Sequence, residues 1–354
     1  MPFENTRLDE IDMAIVSEMQ SDGRRSVTDI AKALGLHRNT VSTRLRRLLD
    51  ERIITPAIYA SPPALGYHTI ATIGISVAPG EMDAVADRMV SLTNIHYVFV
   101  CLGRYDVIIW GLFRDQDELH GFITRELGNT PGIVGTEAMV SLGMSKLSFA
   151  LLNSHLPSSY GDRAEETVSG LASTKHSVTD LDEQDLAIVG ELQRDARQSV
   201  VGLAKALGIH RNSVTAKLKR LSDHGTVKAV IAPNPMALGY QVMVAMGIST
   251  LPGAIDAALD RLKSGANIHS VATCTGRYDI MLWGFFCDQE ELYGFIRREL
   301  GKTPGIRNAE AMVILRVKKM SFAYLTHLHS CETAWPVPST CDLGELNRAS
   351  ASSR

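Results

Sequence analysis

Apolar residues in the first fifty positions recur every three to four residues, the spacing that places side chains on one face of a helix. The pattern predicts one helix over residues 9–20 and two more between Ser26 and Leu48, broken at Gly35. Ser26 with Asp29 three positions on is a capping-box-like start. Two short helices joined by a tight turn, the second with a basic outer face, are typical of a helix-turn-helix. The apolar positions are Leu8, Ile11, Ile15 and Met19, then Val27, Ile30, Ala31 and Leu34, then Val41, Leu45 and Leu48.

The hydrophobic period changes from 3.6 to 2 after a short extended segment at residues 53–60 and a Pro62-Pro63 step. The segment is expected to be a wing or a hinge strand, and the prolines end it. Alternating apolar residues then predict strands, and helical spacing predicts two helices between them. The order is βαββαβ, the ferredoxin-like split unit. The predicted strands are Ala71–Val77, His96–Leu102, Val107–Phe113 and Ile133–Leu142; the helices contain Met82 to Met89 and Leu119 to Leu127.

The whole pattern occurs twice. Residues 8–152 align without a gap on residues 181–325, at an offset of 173 positions. A period this long indicates two fused modules rather than a solenoid. A βαββαβ unit covers one sheet face with helices and leaves the other needing a partner, which the second copy supplies. The fold class is therefore α+β, with two winged helix-turn-helix heads and two βαββαβ domains. The predicted boundaries are 1–61 and 179–234 for the heads, 62–152 and 235–328 for the βαββαβ domains, 153–178 for a linker and 329–354 for a disordered tail.

The second helix of each helix-turn-helix carries the candidate DNA-binding residues. If Val41, Leu45 and Leu48 face the core, a rotation of about 100° per residue turns Asn39 and Thr43 outward. Asparagine can bond adenine, and arginine can bond guanine or phosphate. The alternative is a solvated charged face, but the repeat of the whole pattern favours DNA. The predicted contacts are Arg38, Asn39, Ser42, Thr43, Arg46 and Arg47 in the first head, and Arg211, Asn212, Thr215, Ala216, Lys219 and Arg220 in the second.

Differences between the two heads indicate that they need not read the same half-site. Ala216 stands where the first head has Thr43, and Lys217 where it has Arg44. Arg52, at the end of the first recognition helix, corresponds to Gly225, a good left-handed helix stop. An operator bound by one chain is then expected to be an imperfect palindrome.

Composition limits the other possibilities. The chain has 354 residues, a net charge of −3 and 45% apolar residues, so nucleic-acid affinity must come from local basic patches. Its five cysteines form no close ligand cluster, so neither a metal site nor a disulfide framework is expected. No signal peptide, membrane segment or hydrolase motif is apparent, and a cytoplasmic location is expected. Trp110 and Trp283 lie in apolar strands, which favours packing over a cofactor box.

In its order of motifs, the chain resembles the Lrp/AsnC family of feast/famine transcription regulators. The resemblance rests on Leu8-Asp9-x-x-Asp12, the segment Ala31–Leu36 with its recognition helix, Gly103-Arg104-Tyr105-Asp106 and Pro131-Gly132, each repeated in the second module. It implies a RAM-type βαββαβ domain, binding to a double-stranded DNA operator, no enzymatic activity, and assembly of these intramolecular pseudo-dimers into homo-oligomers. It also implies a small-molecule effector, such as an amino acid, bound between the βαββαβ domains, without any other cofactor.

The resemblance places the effector at two hairpins. Glycine there would let backbone amides approach a carboxylate, and aspartate could meet an ammonium group. The alternative is that a Gly-x-Tyr-Asp hairpin simply turns the chain. The candidate effector residues are Gly103, Arg104, Tyr105 and Asp106, with Gly276, Arg277, Tyr278 and Asp279.

Two other functions remain open at this point. Sirohaem decarboxylases share the fold and carry a histidine near the position of His96, which indicates a possible tetrapyrrole enzyme. Cys101 follows His96 by five positions and is expected on the other strand face, which argues against a shared metal. A protein that binds an effector without DNA is the third possibility, although the outward Asn and Arg residues argue against it. His37 and His210 stand where the family commonly has a serine cap; each could bond backbone phosphate or remain as a poor cap, and the phosphate role is slightly favoured.

Overall fold

The computed structural model describes residues 8–149 and 181–325. The linker and tail predicted from the sequence lie outside these residues. The described chain consists of two copies of the same arrangement, each with three helices, a connecting strand and a βαββαβ unit. In that part of the chain, no helix is long and apolar enough to cross a membrane.

The first head is built from α1 (Glu10–Ser21), α2 (Val27–Leu34) and α3 (Arg38–Asp50). Asp9 and Asp12 form a reciprocal capping box that starts α1, because each side chain accepts the other residue's backbone N–H. Gly35 ends α2 in the left-handed conformation, with φ of 65°. These local signals fix the three-helix arrangement predicted from the sequence.

The second head repeats the first with α6 (Glu183–Arg194), α7 (Val200–Leu207) and α8 (Arg211–Asp223). Asp182 and Asp185 form the equivalent capping box. Gly208 ends α7 with φ of 66°. The two helix-turn-helix units therefore share caps, turns and helix lengths, and they differ mainly in their exposed side chains.

Each βαββαβ unit has the predicted order of elements. The first contains β2 (Thr69–Val77), α4 (Met82–Val90), β3 (Ile95–Leu102), β4 (Val107–Phe113), α5 (Gln116–Gly121, continued by a π-helical turn, Phe122–Leu127) and β5 (Ile133–Leu147). The second contains β7 (Val242–Thr250), α9 (Ile255–Lys263), β8 (Ile268–Cys274), β9 (Ile280–Phe286), α10 (Gln289–Phe295, continued by a π-helical turn, Ile296–Leu300) and β10 (Ile306–Met320). An apolar core lies between each sheet and its helices.

The two sheets join into a closed eight-stranded barrel in the order β10-β3-β4-β2-β5-β8-β9-β7. Two intermodule seams close it: β5 pairs with β8, and β10 pairs with β3. Strand β5 continues five residues beyond the predicted end at Leu142, because its last part pairs with the other module. Register shifts on either side of Gly143 and Met144 let the strand bend from one sheet into the next.

A hinge sheet connects the two heads. It consists of β1 (Ile54–Ala60) and β6 (Val227–Pro233), paired antiparallel from Ile54 with Pro233 to Ala60 with Val227. The segment predicted as a wing or a hinge strand is therefore a hinge strand whose partner is the other module. Val230 and Ile231 of β6 lie in the core of the first head, and Ile58 and Ala60 of β1 lie in the core of the second. Each head thus depends on the opposite module for part of its core.

Candidate DNA-binding helices, hairpins and interior cavity

Helix α3 presents a narrow polar face to solvent. Val41, Leu45 and Leu48 are fully or almost fully buried, as the sequence predicts, and they anchor the helix to the rest of the head. The opposite face exposes Arg38, Asn39, Thr43 and Arg46, while Ser42 is half-buried. In the second head, the exposed predicted contacts are Arg211, Asn212, Thr215, Ala216 and Lys219 of α8.

Two basic residues of α3 have internal partners on α1. Arg47 Nη2 lies 2.6 Å from Oδ2 of Asp12, a carboxylate that is 1% exposed. Arg44 Nη1 donates to Oδ2 of Asp9 at 2.6 Å and to Oδ1 of Asp12 at 3.0 Å. The bond from Arg44 lowers the pKa of Asp9. These pairs hold the recognition helix against α1, and Arg47 has this internal partner beside its predicted role as a DNA contact.

The second head repeats these ion pairs with one substitution. Arg220 donates to the fully buried carboxylate of Asp185, and Lys217 donates to both Asp182 and Asp185. The bond from Lys217 lowers the pKa of Asp182 to about 2. Arg44 and Lys217 are therefore equivalent internal anchors. The difference between Arg44 and Lys217 therefore does not support the prediction that the two heads read different half-sites. That prediction rests on the difference between Thr43 and Ala216.

His37 and His210 are the N-caps of the two recognition helices. The Nδ1 atom of His37 accepts the backbone N–H of Asn39 at 3.3 Å, and Nδ1 of His210 accepts that of Asn212 at 3.2 Å. These bonds satisfy one of the free donors at a helix start, the task a serine cap usually performs. Their predicted bond to DNA phosphate would have to come from Nε2, because Nδ1 already accepts a backbone donor.

Each Gly-x-Tyr-Asp hairpin packs against the last strand of the opposite module. A Cβ atom at Gly103 would lie 2.8 Å from the carbonyl oxygen of Ala311, and one at Gly276 would lie 2.7 Å from that of Ala138. The ring of Tyr105, which is 2% exposed, covers Gly74 of its own sheet. The close approach that was expected to serve a ligand is therefore used for contact between the modules.

The hairpin aspartates are bonded within the protein. The Asp106 carboxylate accepts the backbone N–H of Val77 at 2.8 Å, and the Asp279 carboxylate accepts that of Thr250 at 2.7 Å. The hairpin arginines meet two glutamates of β5 and β10. Arg104 pairs with Glu137 and lies 3.8 Å from Glu310, and Arg277 lies 3.0 Å from Glu310 and 3.8 Å from Glu137. The structure thus brings the two predicted hairpins together in one cluster that spans the module interface.

Sequence reasoning missed the partners of this cluster. Glu137 and Glu310 also accept the hydroxyls of Tyr105 and Tyr278, at 3.0 and 2.9 Å. Both glutamates lie at equivalent positions 173 residues apart, each followed by an alanine and a methionine in a half-buried strand. A charged residue repeated at the same place in both copies of a half-buried strand was the available signal.

A cavity of about 200 Å³ lies inside the barrel. Residues of both modules line it, including Trp110 and Trp283, so the two tryptophans do pack between the sheets as the sequence predicts. Phe99 contacts Trp283 with ring centroids 5.0 Å apart, and Tyr97 stacks on Trp110 at 4.9 Å. Exposed residues His68 and Leu142 lie on its rim, so the cavity reaches the surface on that side.

The histidines that raised an enzymatic possibility are buried among aromatic rings. His96 is 4% exposed and packs edge-on against Tyr324 and Trp110, and its burial lowers its pKa to about 3. His269 packs against Phe149 and Phe285, and burial lowers its pKa to about 4. Among the described residues, no group of three or more His, Cys, Asp or Glu side chains could hold a metal ion. Both imidazoles are neutral at physiological pH.

Comparison with known proteins identifies the family. Residues 8–49 and 181–222 match the AsnC-type helix-turn-helix domain, and residues 70–151 and 243–324 match the Lrp/AsnC ligand binding domain. The chain belongs to the Lrp/AsnC family. Both domains occur twice and in the same order, which confirms the predicted fold class and the tandem duplication. These matches cover the recognition helices and the two hairpins.

Similar proteins include transcriptional regulators that match one module and a sirohaem decarboxylase that matches most of the chain. The HTH-type transcriptional regulator FL11 of Pyrococcus abyssi is 33% identical over 140 residues, 39% of this chain and 92% of its own. An uncharacterised HTH-type transcriptional regulator of Pyrococcus furiosus is 31% identical over 144 residues, 40% of this chain and 97% of its own. The sirohaem decarboxylase NirDL, in complex with an iron-uroporphyrin III analogue, superimposes with a TM-score of 0.60 over 90% of this chain and 95% of its own. At 16% identity, that likeness shows a shared tandem fold alone.

Proposed function

We propose that this protein is a sequence-specific, DNA-binding transcriptional regulator that reads one operator with two non-identical recognition helices. The observation that supports this most directly is the exposed polar face of α3 and α8, held on heads of the AsnC type. Asn39 and Arg46 in the first head and Asn212 and Lys219 in the second present donors and acceptors suited to base edges and phosphates. The curated relatives are transcriptional regulators, which fits the same role.

The ion pairs between α1 and α3, and between α6 and α8, support this arrangement. Asp12 and Asp185 bond Arg47 and Arg220, and these bonds brace each recognition helix against the first helix of its head. The hinge sheet then joins the two heads through β1 and β6. Two heads joined in this way suit an operator with two half-sites.

A small-molecule effector is part of the proposal, and the two hairpins remain candidates for contacting it. Asp106 and Asp279 already accept backbone donors, so a ligand ammonium group at either hairpin would have to share an internal carboxylate. We also propose assembly of the pseudo-dimers into homo-oligomers, by analogy with the family.

Competitive binding to the DNA upstream of the gene tests the regulator function. Replacing Asn39 and Arg46 by alanine, together with Asn212 and Lys219, is expected to lower specific affinity at least tenfold, since each good base contact is worth about 1–3 kcal/mol. A matched control replaces Arg88 and Arg261, which lie on α4 and α9 and pair with surface glutamates. Unchanged affinity in the recognition-helix variant, or an equal loss in the control, would contradict the proposal.

Two further readouts separate the alternatives. Affinity for the operator is expected to fall steeply with salt, because phosphate contacts release counterions. An absorption spectrum of the protein purified from cells tests the tetrapyrrole alternative. Absence of operator binding together with an intense visible band would replace the regulator with an enzyme.

A further inference from the structure

The cavity inside the barrel differs in its chemistry from the hairpins. Among the residues that line it, there is no aspartate, glutamate, lysine or arginine. Its deep walls are aromatic or sulfur-containing side chains, among them Phe99, Trp283, Met139 and Met281, which are buried or half-buried. A zwitterionic ligand would lose its hydration there without gaining an ion pair, so the lining favours an uncharged molecule.

The cavity exists because the two modules have diverged on opposite sides of the barrel. On β3 of the first module, Tyr97 and Phe99 project large rings toward the interior, and these pack on Trp110 and Trp283. At the equivalent positions of β8, 173 residues on, the second module has Ser270 and Ala272. Both small residues line the cavity. Strand β3 therefore presents large rings to the cavity, and strand β8 presents small side chains at the equivalent positions.

Near the rim of the cavity, β5 also has smaller side chains than β10 at two equivalent positions. Gly143 and Met144 of β5 line the cavity close to its opening. Gly143 corresponds to Arg316 of β10, whose guanidinium reaches Asp83 of α4 at 3.1 Å across the other seam. Lys318 reaches Asp87 of the same helix at 2.9 Å, where the first module has Ser145. Side chains thus tie the outside of one seam to a helix, and the equivalent positions of the other seam carry no long side chain.

The lining also contains polar side chains, and one of them is the buried imidazole of His269. The Nδ1 atom of His269 is hydrogen-bonded to the carbonyl oxygen of Ser148. Since a carbonyl oxygen can only accept, Nδ1 carries the proton and Nε2 of the neutral ring has a lone pair. The lining residue His269 therefore carries an unprotonated ring nitrogen that can accept a hydrogen bond.

We propose that this cavity is a binding site for one small, uncharged aromatic molecule, with a single or fused bicyclic ring and a hydrogen-bond donor for His269. Its size supports the class, because an apolar protein cavity of about 150 Å³ holds benzene, and this one measures about 200 Å³. The inference goes beyond the regulator function, and it does not depend on DNA binding by the heads. It also separates the ligand site from the two charged hairpins.

Indole, a neutral bicyclic ring with one N–H donor, is the probe for this site. Isothermal titration calorimetry of the full chain without DNA is expected to show binding of about one indole per chain. L-Tryptophan, which carries the same ring with an ammonium and a carboxylate group, is expected to bind at least tenfold more weakly. Absence of indole binding, or tighter binding of L-tryptophan, would overturn the proposal.

A filling series tests whether the ligand occupies this cavity. Ala272→Val, Ala272→Leu and Ala272→Phe add volume at the wall, and the last restores the residue that the first module has at Phe99. Affinity for indole is expected to fall in that order, by at least tenfold for A272F. Ala84→Phe makes the same change on the exposed surface of α4 and is expected to leave indole binding unchanged.

Circular dichroism and operator binding of each variant complete the test. If A272F does not fold, the smaller A272V and A272L variants still give a graded loss. Indole binding that is unchanged across folded members of the series would place the ligand elsewhere and overturn the assignment. Operator binding that persists in A272F would show that the regulator function and the cavity are separate properties.

Discussion

Gly103 of the first module and Ala311 of the second are in backbone contact, and a Cβ atom at Gly103 would lie 2.8 Å from the Ala311 carbonyl oxygen. Gly103 also has φ of 139°, a region that side chains disfavour. The tip of each hairpin therefore packs directly against the last strand of the opposite module.

Replacing Gly103 by valine is expected to destabilise the chain by about 1–3 kcal/mol, since it adds backbone strain and forces the two modules apart. Urea unfolding monitored by circular dichroism measures this. Gly80→Ala is the control for strain alone, because Gly80 has φ of 89° with nothing within 4 Å of an added Cβ atom. If the two variants lost equal stability, the intermodule contact would contribute nothing.

Arg52 is expected to be a site where glycine stabilises the protein. It follows helix α3 with φ of 52°, the one non-glycine residue with positive φ in the part of the chain described, and its counterpart Gly225 has φ of 65°. Since a left-handed conformation costs an L-residue about 1–2 kcal/mol, Arg52→Gly is expected to gain about 0.5–1 kcal/mol after the entropy cost of glycine. Thermal or urea unfolding measures the change. Gly225→Arg is the reciprocal variant and should lose stability; a gain in it would contradict this explanation.

Asp12→Asn is expected to weaken both folding and operator binding. The neutral amide removes the charge that Arg44 and Arg47 share, and the loss is about 1–3 kcal/mol because Asp12 is buried while both arginines are partly solvated. Urea unfolding and a gel-shift titration measure the two effects. Glu10→Gln, at an exposed position of α1, is the matched control. Full operator affinity in a destabilised D12N variant would argue that the ion pairs do not orient the recognition helix.

The decrease in the free energy of unfolding at acid pH is expected to depend on Asp182. Its pKa is lowered to about 2 by the bond from Lys217, below the ordinary value of 3.8. Because the pKa of Asp182 is lower in the folded state, Asp182 contributes to folding stability above about pH 4. This contribution disappears as the pH falls toward 2. Asp182→Asn should therefore flatten the loss of stability between pH 4 and pH 2, and Lys217→Gln should flatten the same interval. Additive effects in the double variant would show that the two residues act separately.

The sequence predicted the limits of individual strands better than it predicted which strands pair with each other. Strand β4 was predicted with its observed limits, Val107–Phe113, because its apolar run begins after the Gly-x-Tyr-Asp turn and ends before Arg114. Strand β5 was predicted five residues too short, because Gly143 and Lys146 interrupt the alternation after Leu142. Those residues become a strand by pairing with β8, and pairing between distant modules leaves no local trace in the sequence.

The candidate site shows the same limit. A helical projection correctly turned Asn39 and Arg46 outward. It could not show that Arg47, also predicted as a DNA contact, pairs with Asp12 on another helix. The repeated Leu-Asp-x-x-Asp motif was recognised, but the role of its second aspartate as an anchor follows only from the packing of α1 against α3. Likewise, the sequence shows that Tyr97 and Ser270 differ at equivalent positions. Only the barrel shows that both residues line the same cavity.

The hinge sheet and the two barrel seams have a consequence for how such a regulator behaves in a cell. Because β1 and β6 belong to one polypeptide, their association is a first-order process that dilution does not reverse. A pair of separate subunits would dissociate at low abundance and could exchange partners with related proteins. Here the two heads cannot be redistributed. We expect the protein to remain one heterodimer-like unit at any copy number. The first head is then always paired with the second head, which differs from it in its exposed side chains.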